Sequence, residues 1–422
     1  MRLALTYNRG MSPRTRLLVA ILSTGLVSYV ALGAVLGRAL GDTSYTQLSV
    51  FNEVIRLVLD SYVDPVNLDR AMAGARMGLT EALDGDSAYL DADGLKAYQL
   101  GAKDTDADVG LLISRRYGFV VVVAVRSGGP AAKAGVRNGD GIKSIDGRYC
   151  RTVSAPEAER LLRGAPGTTA KLRLLRPGNP DPVDVSVVRE RPVPPEPLHA
   201  RMLDGGTGYV KLQELTPQAA EQMAAELEGL KRGGAKSLVL DLRGGSFGTV
   251  EGSVKVAELL LKGGVVTRLI GRKVDEKVFS ADASRQVWDL PVAALVDGST
   301  SGPGEIVAAA LKDAGRSALV GEHTFGRAPS QKLVPLPEGA LLLTVAKYTS
   351  PKGDPIHGKG VEPTVSVTIP DDDDEEVASG AKDPILDKAI EVLTKGSGKQ
   401  ASTALGTPIP RALAPISRVL PA

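Results

Sequence analysis

Apolar and polar positions follow three successive textures along this chain. From Tyr45 to Leu100 the apolar positions fall at helical spacing. Leu48, Phe51, Val54, Ile55, Leu57 and Val58 form a stripe close to period 3.6. A second helical pattern covers Leu68–Leu83, and the turn residues of Leu83–Ser87 end it. From Asp108 to Pro192 short apolar runs take over, at Val109–Ile113, Phe119–Val125, Ile142–Ile145, Ala170–Leu175 and Val183–Val188. Gly-rich turns separate them, and two short helical patterns interrupt them at Pro130–Ala134 and Pro156–Arg163. Six short strands with two helices at this size predict a small, partly open barrel.

Arg191–Pro197 (RPVPPEP) reads as a stiff linker. Beyond it strands and helices alternate: strand Gly208–Leu212, helix Pro217–Arg232, buried strand Ser237–Leu242, helix Val250–Leu261, strands Val265–Ile270 and Val292–Val296. A Gly/Ser/Thr turn follows, and Pro303 opens a helix. Leu341–Tyr348 and Val361–Val367 are further strands. This alternation predicts a sheet covered by helices. Asp371–Glu376 is a run of six acids, read as a solvated linker. Asp383–Leu393 predicts one more short helix, and the Gly, Ser and Pro content beyond Lys395 predicts a floppy tail.

The N-terminus adds a different signal. Leu17–Gly37 carries no charge and is long enough to cross a hydrocarbon core of ~30 Å. Arg2, Arg9, Arg14 and Arg16 precede it, which predicts a cytoplasmic N-terminus and an uncleaved anchor. The expected location is the inner or cytoplasmic membrane, single-pass, with the bulk of the chain on the outer side. At 422 residues there is room for two or three domains. The formal charge of +2, with both signs mixed, argues against a nucleic-acid surface. One cysteine, Cys150, excludes an internal disulfide, and three scattered histidines are too few for a metal cluster. No cofactor or metal is expected.

Within the barrel segment, GPAAKAG (Gly129–Gly135), NGDGI (Asn138–Ile142) and IDG (Ile145–Gly147) form a specific signature that resembles a PDZ domain. Val109, Gly110, Leu111 and Leu112 stand where that family has its carboxylate-binding loop. Successive backbone N–H groups there can take a peptide's terminal carboxylate while the peptide adds a strand to the sheet edge. A barrel without a ligand is the plainer alternative.

The remaining motifs match in order. LDGDSAYL (Leu83–Leu90) is similar to LDPHSxYL, and DLRG (Asp241–Gly244) to the start of DLRGNPGG. EIVAAALKDAGR (Glu305–Arg316), GEHTFG (Gly321–Gly326), LTVAKY (Leu343–Tyr348), PKGDPI (Pro351–Ile356) and GVEP (Gly360–Pro363) complete the set. Over roughly Tyr45–Val367 the chain resembles the C-terminal processing peptidases, also called tail-specific proteases. The resemblance implies cleavage of polypeptides by a serine nucleophile and a lysine base. The lysine must lose its proton, which requires a pocket that depresses its pKa.

In that family the serine lies in GSASASE, three residues before the glutamate, and the lysine in TFGKGxxQ, four before the glutamine. Carried onto this chain, the serine position is Gly302, three before Glu305, and the lysine position is Arg327, after Thr324–Gly326. Gln331 is kept. The separation of 25 between Gly302 and Arg327 is the family's spacing, so both anchors agree on the register. A guanidinium with a pKa above about 12 is no base at neutral pH, and glycine offers no nucleophile. Where the family has NPGG, this chain has Gly245, Ser246, Phe247 and Gly248, and Phe247 is expected to hinder close approach at the oxyanion region. Ser301 is an alternative nucleophile, with His323 or Lys332 as base. Capping of the following helix is the plainer role for Ser299, Thr300 and Ser301. His199 and His357 carry no signal. Asp241 is expected to end its strand or hold Arg243.

The expected fold class is an α/β (α+β) peptidase core with an inserted PDZ β-barrel domain, an N-terminal helical arm and a transmembrane anchor. The expected organisation is anchor 1–41, helical arm 42–104, PDZ domain 105–192, peptidase-like core 193–370, and acidic linker, helix and tail 371–422. The expected function is binding of protein C-termini or unfolded polypeptides by an inactive relative, with active serine endopeptidase chemistry at Ser301 as the alternative. The helical arm is a possible site of homo-oligomerisation.

Overall fold

The computed structural model describes residues 23–24, 45–101, 107–116, 118–191, 198, 200–367 and 383–395. The chain divides between Ala75 and Arg76 into two units. The first holds helix α1 (45–61) and the start of α2 (Leu68–Glu81). In α1 the apolar stripe Leu48, Phe51, Val54 and Leu57 is exposed. The expected membrane anchor is not upheld: no helix among the described residues is long and apolar enough to cross a membrane. The single-pass inner-membrane location expected from it falls with it. Apart from residues 23 and 24, Leu17–Gly37 lies outside the described residues, as does the acidic run Asp371–Glu376.

In the second unit, β1 (Ala88–Leu90) and α3 (Ala92–Gly101) precede a sheet of six strands. These are β2 (Leu111–Arg116), β3 (Phe119–Val125), β4 (Gly141–Ile145), β5 (Arg148–Tyr149), β6 (Thr169–Leu175) and β7 (Val183–Val188), with helices α4 (Pro130–Lys133) and α5 (Ala155–Leu162). The order is β2-β3-β4-β6-β7, with β5 on β4, so β2 is an edge strand. Its core is apolar: Ile113, Val120, Val122, Ile142, Ile145, Leu172 and Leu174 are buried. Cys150 belongs to that core, and burial pushes its thiol up to about 11.

The α/β part follows the expected alternation. Its strands are β8 (Ala200–Leu203), β9 (Thr207–Lys211), β10 (Glu214–Leu215), β11 (Ser237–Asp241), β12 (Phe247–Gly248), β13 (Gly264–Gly271), β14 (Val274–Ala281), β15 (Val292–Val296), β16 (Ser317–Gly321), β17 (Pro329–Leu336), β18 (Gly339–Thr349) and β19 (Val365–Ser366). Its helices are α6 (Pro217–Arg232), α7 (Val250–Glu258), α8 (Pro303–Asp313) and α9 (Pro384–Lys395). The central sheet runs β19-β16-β15-β11-β9-β8. It is parallel from β19 to β9, with Leu240 opposite Ala294 and Ala294 opposite Leu319. Every residue of β15 is buried, as expected of a parallel strand covered on both faces. Leu238 and Leu240 join a core with α6, α7 and α8. Val239, of the opposite parity, packs with Ile385 and Ala389 of α9 on the other face. Thr216 and Thr249 cap α6 and α7 through the amides of Ala219 and Gly252.

Four strands of three or more residues carry no clear sequence signal. β1 interrupts the stretch expected to be helical, and three residues are too few to show a period. It forms only because β18 offers an antiparallel partner, Tyr89 opposite Leu341. β8 is similarly short. β14 is largely exposed and charged, and β17 contains Pro329 and Pro335. Proline lowers strand propensity except at edges.

Candidate active site

Two strand-to-helix turns meet at the C-terminal edge of the parallel sheet, where ligands of such sheets bind. One joins β11 to α7 and the other joins β15 to α8. In the second turn, Asp297 ends the strand and gathers the hydroxyls that follow. Ser299 Oγ donates to its carboxylate at 2.7 Å, the Ser299 amide at 3.0 Å and Thr300 Oγ1 at 3.1 Å. Thr300 Oγ1 also lies 3.0 Å from the Leu242 carbonyl. Ser299 and Thr300 therefore close this turn and do not cap α8, contrary to expectation. The residue at the helix entrance is Gly302, with φ 48° and ψ −106°. Such a backbone is strained for a residue with a side chain, as at the nucleophile elbows of hydrolases. Gly304 donates its N–H to the Gly245 carbonyl at 2.9 Å, and a Cβ there would come within 2.1 Å of that oxygen. The two turns thus touch through backbone.

Glu305 fastens this turn to the loop after β16. Its side chain is fully buried. One oxygen accepts the amides of Gly302 and Arg327, both at 2.9 Å. The other accepts the amide of Gly326 at 2.6 Å and the Thr324 hydroxyl. Burial pushes the carboxyl up, and the four donors offset part of that rise. A Cβ built on Gly302 lies 3.2 Å from the Arg327 carbonyl. The two positions that the resemblance assigns to serine and lysine therefore face one another.

Arg327 is held from the side. Its Nε donates to Asp86 Oδ1 at 2.6 Å, and Gln331 Nε2 donates to the Asp86 carbonyl at 2.6 Å. Asp86 belongs to the turn before β1 and is buried. Next to it, His357 Nδ1 accepts the Ala328 amide at 3.3 Å, leaving Nε2 facing Asp84 at 3.9 Å. Burial alone would raise the Asp84 carboxyl. Hydrogen bonds from His357 and from the amides of Ser87 and Asp86 outweigh it and hold the group well below the usual carboxylate range. Potential ligand atoms of Asp84, Asp86 and His357 lie within 4.8 Å of one another. With Nδ1 accepting the Ala328 amide, Nε2 carries the ring proton and is turned to the Asp84 carboxylate. Glu159 of α5 is also near. Burial raises its carboxyl, and the charge of Arg327 lowers it.

Ser301, Gly302, Arg327, Gln331, Phe247 and Gly248 line one cleft of about 460 Å³, together with Leu112 of β2. The structure thus brings these expected residues together. Val109, Gly110, Leu111 and Gly245 do not line it, nor do His323 and Lys332. Among the described residues, Ser301 Oγ has no hydrogen bond to a basic side chain. His323 is exposed, with Nδ1 2.8 Å from the Thr324 carbonyl. The Phe247 ring packs under the Arg126 guanidinium at 4.4 Å, and Arg126 also pairs with Glu214. Arg116 of β2 stacks on Phe325 at 3.8 Å. In the proposed carboxylate loop, the Gly110 amide is taken by Asp108 Oδ1 at 2.9 Å. Asp241 does hold Arg243, through bonds of 2.9 Å from Nε and 2.7 Å from Nη2. Sequence reasoning missed Asp86 and His357 as neighbours of this site. The signal for Asp86 was its place in LDGDS, at the position of the family's histidine.

Comparison with known proteins agrees with this architecture. Residues 206–367 match Peptidase family S41, and residues 121–176 match a PDZ domain. The chain is 28% identical to the carboxy-terminal processing protease CtpA of Bacillus subtilis, over 84% of this chain and 76% of that protein. It is 30% identical to the carboxy-terminal-processing protease of Bartonella bacilliformis, over 78% of this chain and 77% of that protein. The solved structure of a photosystem II D1 C-terminal processing protease superposes with a TM-score of 0.63 at 28% identity, covering 75% of this chain and 86% of that one. A parallel sheet with a strained turn at Gly302, a Glu305-bound loop facing it and a PDZ barrel beside the cleft go together with these similarities: the chain belongs to the carboxy-terminal processing proteases of peptidase family S41.

Proposed function

We propose that this chain is a catalytically inactive member of its family that binds polypeptide C-termini. The observation that carries the reading is the pair of facing positions in the cleft. Gly302 stands at the strained turn and Arg327 opposite it, so neither a hydroxyl nor a neutral amine is offered where the family's chemistry needs them. The PDZ edge strand β2 supplies the binding surface, since its outer edge has no strand partner among the described residues. Arg327 adds a second carboxylate receptor. Among the described residues its backbone amide and Nε have hydrogen-bond partners, which leaves two guanidinium nitrogens for a ligand carboxylate.

Two measurements test this. Incubation with casein or a tagged peptide should give no turnover; turnover that disappears in Ser301→Ala would sink the inactive reading. Titration with fluorescent peptides that end in an apolar residue should show binding, and amidating the terminal carboxylate should weaken it about tenfold, the loss of one charged hydrogen-bonding group. Equal binding of both forms would remove the C-terminus from the proposal.

A further inference from the structure

Two of the positions at which this chain departs from the family's motifs meet in space. Asp86 stands where LDPHSxYL has its histidine, and Arg327 where TFGKGxxQ has its lysine. They are 241 residues apart and joined by the 2.6 Å bond from Nε to Oδ1. The Asp86 side chain is only 3% exposed. Gln331 grips its backbone carbonyl, and the Ser87 and Asp86 amides are tied to Asp84. The backbone that carries the carboxylate is thus held on both sides.

We propose that Asp86 is a positioning residue that fixes a positive charge at position 327 and thereby excludes a neutral-amine base from this cleft, whichever basic side chain stands there. A general-base lysine needs surroundings that favour its uncharged form. A buried carboxylate at hydrogen-bond distance does the opposite, because the low local dielectric strengthens the attraction of the ion pair. The other titratable groups around this position are Glu159 of α5, Glu305, which takes the Arg327 amide, and the Asp84–His357 pair. Glu159 interacts with the charges of both Arg327 and Arg163, and Asp86 is the acid in direct contact with the side chain at position 327. For the arginine actually present, the pairing locks the guanidinium by its Nε. The inference rests on the reading of 327 as the family's lysine position. It implies that Gly302→Ser with Arg327→Lys will not suffice to restore a peptidase, because the third departure, Asp86, remains.

The test uses the full chain carrying Arg327→Lys, with and without Asp86→Asn. Each is labelled with trace acetic anhydride between pH 6 and 11, and acetylation at position 327 is read by mass spectrometry. With Asp86 retained, the introduced amine should titrate at or above the ordinary lysine value of about 10.4. Asp86→Asn should lower that midpoint by about one unit or more, and raise labelling at pH 8 about tenfold. Asp86→His, the family's residue, serves as a second substitution if the asparagine variant does not melt cooperatively. Unchanged midpoints in both would overturn the proposal. Peptidase assays separate it from the reading beneath it. Turnover by Gly302→Ser/Arg327→Lys alone would overturn the role of Asp86 while supporting the two slots. Turnover only after Asp86→His is added supports both. A shifted midpoint without turnover in any variant supports Asp86 and counts against the slots.

Discussion

The two turns that floor the cleft are built alike and filled differently. Each follows a parallel strand and meets an acid at its end, the buried Asp241 closing β11 and the half-buried Asp297 just after β15, and each leads into a helix. In the turn from β11, the position that faces the cleft is bulky: Phe247 reaches out to Arg126, just after β3 of the PDZ domain. In the turn from β15, the position that the resemblance assigns to a serine is Gly302, which has no side chain. In neither case does the frame depend on that position. The first turn is held by Arg243, which bridges Asp241 to Asp383 at the start of α9 with bonds of 2.7 and 2.8 Å. Tyr209 Oη donates to the same Asp241 at 2.6 Å. The second is held by Glu305 and its four donors. Buried charged groups a few residues away carry the backbone, so cleft-facing side chains can be exchanged without moving it.

Substitutions in the frame should cost more stability than exchanges at the cleft face. The largest effect is expected for Glu305→Ala, which strands three backbone amides inside the protein; about 4 kcal/mol should be lost in urea unfolding. A loss below about 1 kcal/mol would show that Glu305 does not hold the two loops. Arg243→Ala should come next, at about 3 kcal/mol, because the fully buried Asp241 loses its counter-charge. Its pH dependence is a further check. Burial would raise the Asp383 carboxyl, but its bonds with Arg243 and the Leu386 amide hold it below the usual range. A depressed carboxyl contributes stability above the unfolded value of about 4 and loses it as pH falls through the folded value. The deficit of Arg243→Ala should therefore be full at pH 7 and shrink below pH 4; a deficit that grows in acid would rule out this pairing. The smallest change is expected for Gly302→Ser, about 1 kcal/mol for a side chain at φ 48° beside the Arg327 carbonyl. A cost as large as that of Glu305→Ala would erase the distinction between frame and content.

Much of the fold is legible along the chain. Period and turn residues locate Phe119–Val125, Val183–Val188, Pro217–Arg232 and Val292–Val296 at their observed bounds. Local pattern records which face of a strand or helix is buried, and a motif's spacing is a local quantity, so the placement of Gly302 and Arg327 at a separation of 25 needs no coordinates. The apolar N-terminal segment shows the limit of such reasoning, since length and hydropathy are properties that many environments share.

Partner choice lies beyond local pattern. An acid or an arginine in the sequence announces a charge without saying which opposite charge it will meet. The fold alone brings Asp86 to Arg327 across 241 residues and Asp383 to Arg243 across 140. Likewise β1 is a strand only because β18 passes beside it. Local pattern and motif spacing determined the order of elements, the PDZ barrel and the two positions that the resemblance assigns to a serine and a lysine. Tertiary structure decided that those positions face one another and that a third departure, Asp86, holds one of them. Packing fixes distance and burial, and in a low-dielectric interior those two quantities set the strength of every charge interaction.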